Sequence, residues 1–120
     1  VLIGNGDMHL KNWSLIYPDR AMAALAPAYD FVSTIPYIPD EFAAIKYART
    51  KRMRELSLDE LRYLAAKARL SEKLVVDTAK ETVFRFRDEW PEAKKALPIA
   101  RPVADAIDAH LKDLTLISDT

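Results

Sequence analysis

The stretch LSLDELRYLAAKARLSEKLVVDTAKETV, residues 56–83, decides the fold class because it contains two helix starts in succession. Ser57 followed three residues later by Glu60 is a capping box, in which each side chain satisfies a free backbone N–H of the other residue. Ser71 is a second N-cap residue, and apolar residues recur at helical spacing after each serine. The sequence therefore predicts two consecutive helices, one starting after Ser57 and one starting after Ser71.

Helical periodicity continues to the end of the chain. The predicted apolar face of the second helix consists of Val75, Ala79, Thr82, Val83, Phe86 and Trp90. Pro91 suits the first turn of a separate short helix, which Pro98 would close. A last helix is predicted from about Pro102, with Val103, Ile107, Leu111 and Leu114 buried.

The chain before residue 56 has a different pattern. Residues 13–17 are typical of a short strand and Pro18-Asp19 of a turn, whereas residues 35–40 are predicted to be irregular. Residues 42–47 fit either a strand or a helix, and we favour a strand. The predicted fold class is therefore mainly α (α+β). A helical bundle would carry a short β-hairpin and a polar loop at its N-terminal part.

Composition excludes several classes of protein. The 120 residues include 18 basic and 18 acidic side chains, so no net charge draws the chain to nucleic acid or to a membrane surface. No run of residues approaches the roughly 18 consecutive apolar residues of a membrane span. Cysteine is absent, which is typical of a cytoplasmic protein. The chain does not start with methionine, and we expect it to be part of a longer protein.

Polar side chains are concentrated in GNGDMHLKNW, residues 4–13, directly behind an apolar start. Asp7 and Asn12 lie five positions apart, and Asp30 follows eighteen residues later. Phosphoryl transfer requires a carboxylate to orient the attacking hydroxyl and oxygen ligands to hold Mg²⁺ against the phosphates. An aspartate, an asparagine amide and a second aspartate supply these groups, and Mg²⁺ prefers such oxygen donors.

Neighbouring residues of the loop have less specific interpretations. Asn5 is interpreted mainly as a loop-shaping residue, because asparagine tolerates left-handed backbone and hydrogen-bonds locally. His9 either lies near the phosphates or holds the loop, and Lys11 is a candidate phosphate contact. The basic run KYARTKRMR, residues 46–54, is interpreted as a solvated turn rather than a phosphate-binding patch. His110 is predicted to be structural, and Trp13 and Trp90 are predicted to be core residues rather than a stacking platform.

The D-x-x-x-x-N spacing of the loop is that of a kinase catalytic loop. GNGDMHLKN, followed by PAYDFVS and by the helical stretch over residues 56–83, resembles toxin kinases of the HipA type. The resemblance implies a protein-kinase-like C-lobe with Asp7 as catalytic base and with Asn12 and Asp30 as Mg²⁺ ligands. It also implies an ATP-dependent serine/threonine protein kinase of a bacterial toxin–antitoxin module. Its partners would be a protein substrate and a HipB-like helix-turn-helix antitoxin. It would contact nucleic acid only indirectly, through that antitoxin.

The sequence departs from kinase patterns at identifiable positions. Asp30 is followed by Phe31 and Val32, so the glycine of D-F-G is missing, and His9 stands where eukaryotic-type protein kinases have lysine. A Gly-rich nucleotide loop and a V-A-I-K-like lysine are also missing. We therefore expect residues 1–120 to be one C-terminal lobe whose N-lobe lies upstream. The full-length protein is expected to be an enzyme, whereas the 120 residues alone are expected not to catalyse the reaction.

Two alternatives remain open from the sequence. Asp7, His9 and Asn12 fit the loop of small-molecule phosphotransferases of the aminoglycoside or choline type equally well, although Asn5 stands where that pattern has histidine. The chain could instead be a non-catalytic module that binds an antitoxin or another protein. An apolar face left by a missing lobe would favour self-association.

Overall fold

A computed structural model describes residues 1–38 and 41–120 of the chain. In these ranges the elements follow one another as strands β1 (Leu15–Ile16) and β2 (Ala24–Leu25), then helices α1 (Leu58–Ala68), α2 (Glu72–Ala96), α3 (Arg101–Asp113) and α4 (Thr115–Ser118). Short 3₁₀ helices cover Leu10–Asn12 and Met53–Glu55. The prediction of a mainly helical fold with a small β-hairpin near its N-terminal end is confirmed.

The β-hairpin is short and lies on the surface. Its antiparallel strands pair Leu15 with Leu25 and Ile16 with Ala24, and all four residues are exposed. The predicted turn at Pro18-Asp19 is present. Strand β1 is thus shorter than the strand predicted over residues 13–17.

The strand predicted over residues 42–47 is wrong. Only Phe42 forms an isolated antiparallel bridge, with Arg52. Backbone hydrogen bonds from Ala43 N–H to the Lys51 carbonyl (2.8 Å) and from Met53 N–H to the Glu41 carbonyl (2.9 Å) flank that bridge. The chain turns away beyond it, so no longer ladder forms. Of the segment predicted to be irregular, residues 35–38 form a turn, and Pro39 and Asp40 lie outside the described residues.

The start of α1 confirms the predicted cap but not the reciprocal bond. Ser57 Oγ accepts a hydrogen bond from Glu60 N–H at 3.1 Å. The buried Glu60 carboxylate instead accepts from Arg49, at 2.8 Å from its backbone N–H and at 2.6 Å from Nε. Glu60 therefore ties the loop before α1 to the helix, and a buried carboxylate with a cationic partner satisfies the rule that buried charges are paired.

Helix α2 is continuous through Pro91, so the predicted break there is wrong. A proline inside a helix removes one backbone hydrogen bond and disfavours the preceding turn. Tertiary contacts hold the helix on both sides of it. Trp90 Nε1 donates to Asp108 Oδ1 at 2.7 Å, and Lys94 Nζ lies 2.6 Å from Asp108 Oδ2 on α3. The helix ends before Pro98, and α3 begins at Arg101 with Pro102 in its first turn.

The described residues bury their apolar side chains in two clusters. The first joins α1, α2 and α4 and consists of Leu56, Leu58, Val76, Val83 and Leu116. The second consists of Ala43, Met53 and Leu114, with Ile35 packed against it. Val1 and Leu2 contact both clusters, so the start of the chain rests directly on the helical body.

The predicted helix faces are correct in part. Val83, Ile107 and Leu114 are buried as expected, whereas Val76 is buried in place of the predicted Val75, which is only half-buried. Trp13 is 51% exposed, so its predicted role as a core residue is wrong. No helix in residues 1–38 or 41–120 combines the length and apolarity needed to cross a membrane.

Candidate functional site

The site begins with a turn that only glycine accommodates. Gly4 has a φ of +67°, and its N–H donates to the Val1 carbonyl at 2.8 Å. A Cβ at this position would lie 2.4 Å from Cδ1 of Ile35. Left-handed backbone disfavours most side chains, and the close approach of Ile35 leaves no room for a Cβ here. The turn directs the following residues across the segment that contains Asp30.

Asp7, the predicted catalytic base, lies on the exposed part of this loop. Its Oδ1 lies 2.8 Å from Nε2 of His9. This contact orients the Asp7 carboxylate. His9 thus contacts the candidate base directly, which supports the loop-holding interpretation made from the sequence.

Asn12, a predicted metal ligand, ends the 3₁₀ helix Leu10–Asn12. Its Oδ1 accepts from His9 N–H at 2.8 Å, and its Nδ2 donates to Asp30 Oδ2 at 2.5 Å. Residues eighteen positions apart are thereby brought into direct side-chain contact. Their role as metal ligands stays a prediction.

Asp30 has a backbone conformation that is uncommon for a residue with a side chain, with a φ of 61°. Aspartate tolerates left-handed backbone better than most residues, and such conformations are enriched at functional sites. The Asp30 carbonyl accepts from Asn5 Nδ2 at 3.2 Å. The adjacent Tyr29 hydroxyl donates to the Lys11 carbonyl at 2.8 Å. Lys11 is therefore held by its backbone, and its side chain is exposed.

The donor chemistry of Asn12 and Asp30 fits a hard divalent cation. Within the described ranges, no group of three or more histidine, cysteine, aspartate or glutamate residues could hold a metal ion. A site with one carboxylate and one amide oxygen nevertheless matches Mg²⁺, which usually takes one or two protein carboxylates and completes its octahedron with phosphates and water. In this structure the Asn12 amide oxygen accepts from His9 N–H and its Nδ2 faces Asp30, so holding the ion would require the amide to turn its oxygen toward Asp30.

An open groove of about 100 Å³ lies beside the site. Its lining includes Asn12 and mostly apolar residues from the loop over residues 4–13, from the hairpin and from either side of Asp30: Met8, Trp13, Leu25, Pro27, Tyr29 and Phe31. The exposed Trp13 belongs to this groove rather than to the core. The groove therefore offers apolar contact directly next to the polar constellation.

Residues outside the loop have structural partners. His110 Nε2 lies 2.9 Å from the Val1 carbonyl, in agreement with its predicted structural role. In the basic run, Arg49 pairs with Asp59 and Glu60, while Arg52 pairs with Glu41 and Glu55. These ion pairs support the interpretation of residues 46–54 as a solvated turn.

Thr34 is a site residue that the sequence analysis missed. Its hydroxyl accepts from Gly6 N–H at 2.8 Å and donates to the Gly4 carbonyl at 3.2 Å. Its backbone N–H donates to the same carbonyl at 3.0 Å. A threonine four residues after a candidate metal ligand gives no periodic or motif signal, so only the folded chain reveals the contact.

Comparison with known proteins identifies the family of the chain. A model of the HipA-like C-terminal domain family matches residues 1–90. "Putative kinase Y4dM" of Sinorhizobium fredii (strain NBRC 101917 / NGR234) is 66% identical over 116 residues, which are 96% of this chain and 28% of that protein. "Putative kinase Y4mE" of the same organism is 31% identical over 98 residues, 74% of this chain and 23% of that protein.

A shorter match is found in Haemophilus influenzae (strain ATCC 51907 / DSM 11121 / KW20 / Rd). Its "Putative kinase" is 58% identical over 36 residues, which are 30% of this chain and 10% of that protein. The chain thus spans less than a third of the length of each of these relatives. No solved structure matches the chain. Because the family model covers three quarters of the 120 residues, the chain belongs to the HipA-like C-terminal domain family.

Proposed function

We propose that this chain is the C-terminal, catalytic-loop lobe of a HipA-like serine/threonine kinase. In the full-length protein it transfers the γ-phosphate of ATP to protein hydroxyls, with a protein substrate and a HipB-like antitoxin as partners. The observation that carries the proposal is the 2.5 Å contact between Asn12 and Asp30, next to the loop that presents Asp7. The kinase name of the relative that matches 96% of this chain supports the same class of chemistry.

Each residue has a distinct task in this proposal. Asp7 accepts or orients the proton of the attacking hydroxyl, and the contact with His9 Nε2 orients its carboxylate. Asn12 and Asp30 hold Mg²⁺ through their side-chain oxygens. When bound, the ion neutralises negative charge on the phosphates during transfer. The exposure of Asp7 and Asp30 leaves both accessible to substrate.

Substitution of Asp7 by asparagine tests the assignment of the base. Asp7→Asn keeps the shape of the side chain but removes its charge and basicity. We expect kcat of the full-length protein to fall by about 10²–10⁴-fold, the usual contribution of general-base catalysis, with ATP affinity largely retained. Phosphate transfer from labelled ATP and calorimetric ATP binding measure the two quantities. Turnover close to wild type would remove the main reason to call residues 4–13 a catalytic loop.

The metal ligands should respond differently from the base. Asp30→Ala should weaken Mg²⁺-dependent ATP binding as well as the rate, and Asn12→Ala should have a smaller effect because a neutral amide is the weaker ligand. Asp19→Asn is the matched control: Asp19 lies at the hairpin tip, and its Oδ1 accepts from Ala21 N–H at 3.0 Å and Met22 N–H at 2.7 Å. An asparagine there keeps an acceptor, so both kcat and ATP affinity should remain at wild-type values.

A further inference from the structure

Asn5 is buried, with only 4% of its surface exposed, and both ends of its amide are engaged. Its Oδ1 accepts from Asp7 N–H at 2.9 Å, and its Nδ2 donates to the Asp30 carbonyl at 3.2 Å. One side chain therefore bonds to the backbone of the candidate base and to the backbone of the candidate metal ligand. Its burial keeps Asn5 itself from contacting a substrate.

Thr34 forms a second bridge between the same two segments. Its hydroxyl and backbone N–H bond to Gly4 and Gly6, on either side of Asn5 in the sequence. Gly6 approaches closely enough that a Cβ there would lie 3.2 Å from Thr34 Oγ1. The loop that precedes Asp7 is thus bound both through the side chain of Asn5 and through the side chain of Thr34.

The two bridges constrain a segment that would not adopt its conformation by itself. Asp30 has left-handed backbone, which costs free energy unless its surroundings hold it. The strands near the site are only two residues long and exposed, so they contribute little rigidity. The position of Asp30 relative to Asp7 therefore depends on a few hydrogen bonds between residues 25 to 30 positions apart.

We propose that Asn5 and Thr34 are positioning residues for phosphoryl transfer, because their bridges hold the base-bearing loop and the Asp30 segment in one fixed relative geometry. This inference rests on the proposed kinase function. Neither residue touches substrate or metal. Errors of about 1 Å in the placement of reacting groups cost roughly 10²-fold in rate, so loosening either bridge should lower kcat well beyond any loss of folded protein.

A pair of substitutions at Thr34 in the full-length protein tests the hydroxyl bridge. Thr34→Val keeps the size and the backbone N–H bond but removes both hydroxyl bonds, and we expect kcat to fall by about 10- to 100-fold. Thr34→Ser keeps the hydroxyl and should stay within about threefold of wild type. Thr50→Val is the matched control, because the Thr50 hydroxyl bonds to Glu55 and Arg52 away from the site, and kcat should be unchanged.

Backbone amide exchange supplies a readout that does not depend on activity. Thr34→Val should speed hydrogen exchange at the Gly6 amide, and Asn5→Ala should speed it at the Asp7 amide, while helix amides in α2 keep their protection. The inference is overturned if Thr34→Ser loses as much kcat as Thr34→Val, or if the loss of kcat matches a loss of folded protein. It is also overturned if exchange at Gly6 and Asp7 does not change.

Failure of the inference and failure of the proposed function give different results. If Asp7→Asn abolishes turnover while Thr34→Val behaves like wild type, the kinase assignment stands and the positioning role falls. If the full-length protein transfers no phosphate from ATP, the kinase assignment falls, and the positioning role in phosphoryl transfer falls with it. Wild-type turnover in Asp7→Asn would remove only the assignment of Asp7 as the base.

Discussion

The loop segment over residues 1–35 and the helical body over residues 57–118 are stabilised by different interactions. In the helical body, buried apolar side chains from three helices pack into one cluster. In the loop segment, the apolar side chains of the hairpin are largely exposed. Side-chain hydrogen bonds from Asn5, Asn12 and Thr34 instead fix its path.

This difference matters because the two kinds of interaction fail in different ways. Apolar packing is distributed over many contacts, so one lost contact lowers the stability of the whole body. A hydrogen-bonded loop depends on a few specific partners, so one lost partner changes local geometry. The two regions meet where Val1, Leu2 and Ile35 pack against the cluster of Ala43, Met53 and Leu114. Substitutions at this junction test how far the regions are coupled.

The largest effect is expected for Leu114→Ala. Leu114 is 1% exposed and packs against residues of both regions. Removing a fully buried leucine side chain should lower the free energy of unfolding by about 2–5 kcal/mol. Denaturant unfolding followed by circular dichroism measures this loss. Leu74→Ala is the control, since Leu74 is exposed on α2, and its effect should stay within about 0.5 kcal/mol.

A smaller and more local effect is expected for Gly4→Ala. The alanine would have to adopt a φ near +67° and would meet the side chain of Ile35. Left-handed backbone and overpacking together should cost about 2–4 kcal/mol, which the loop can reduce by rearranging. Amide chemical shifts should change over residues 4–12 and 30–35 and stay constant in α2.

Gly6→Ala is the control for this prediction. At Gly6 a Cβ would lie 3.1 Å from the Phe42 carbonyl oxygen, and the backbone is not left-handed, so the shift changes should be smaller. If Gly4→Ala instead unfolds α1 and α2 together with the loop, the two regions form one cooperative unit and the comparison fails.

The smallest effect concerns the bond between His110 on α3 and the Val1 carbonyl. Burial lowers the pKa of His110 below its ordinary value, although the bond to Val1 and the nearby Asp113 carboxylate oppose this. The unfolded chain therefore binds the proton more tightly than the folded chain. Stability from this group is complete above the unfolded pKa of about 6.5 and decreases as the pH falls through the folded pKa.

Thermal unfolding between pH 8 and pH 5 measures this dependence, and nuclear magnetic resonance titration of the ring gives its pKa. His110→Gln should remove this part of the pH dependence while keeping a polar side chain near Val1. An unchanged pH profile in that variant would show that the contact does not couple the regions.

Local signals were sufficient to place the starts of α1 and α2. Ser57 and Ser71 cap α1 and α2 as predicted, because an N-cap bond involves residues only three positions apart. Pro91 was misread, because contacts from Trp90 and Lys94 to Asp108 outweigh the proline's preference for a helix start. The strand prediction over residues 42–47 is wrong because a strand needs a paired neighbour. In the described residues the pairing is limited to the bridge between Phe42 and Arg52.

The sequence by itself determined the candidate chemistry of this protein: residue types and spacing selected Asp7, Asn12 and Asp30, and motif resemblance identified the family. Only the tertiary structure decided how these residues are held. The contact of Asn12 with Asp30, the buried amide of Asn5 and the hydroxyl of Thr34 join positions 18 to 30 residues apart. Such contacts depend on where the chain returns in space, and neither helical periodicity nor local propensity contains that information.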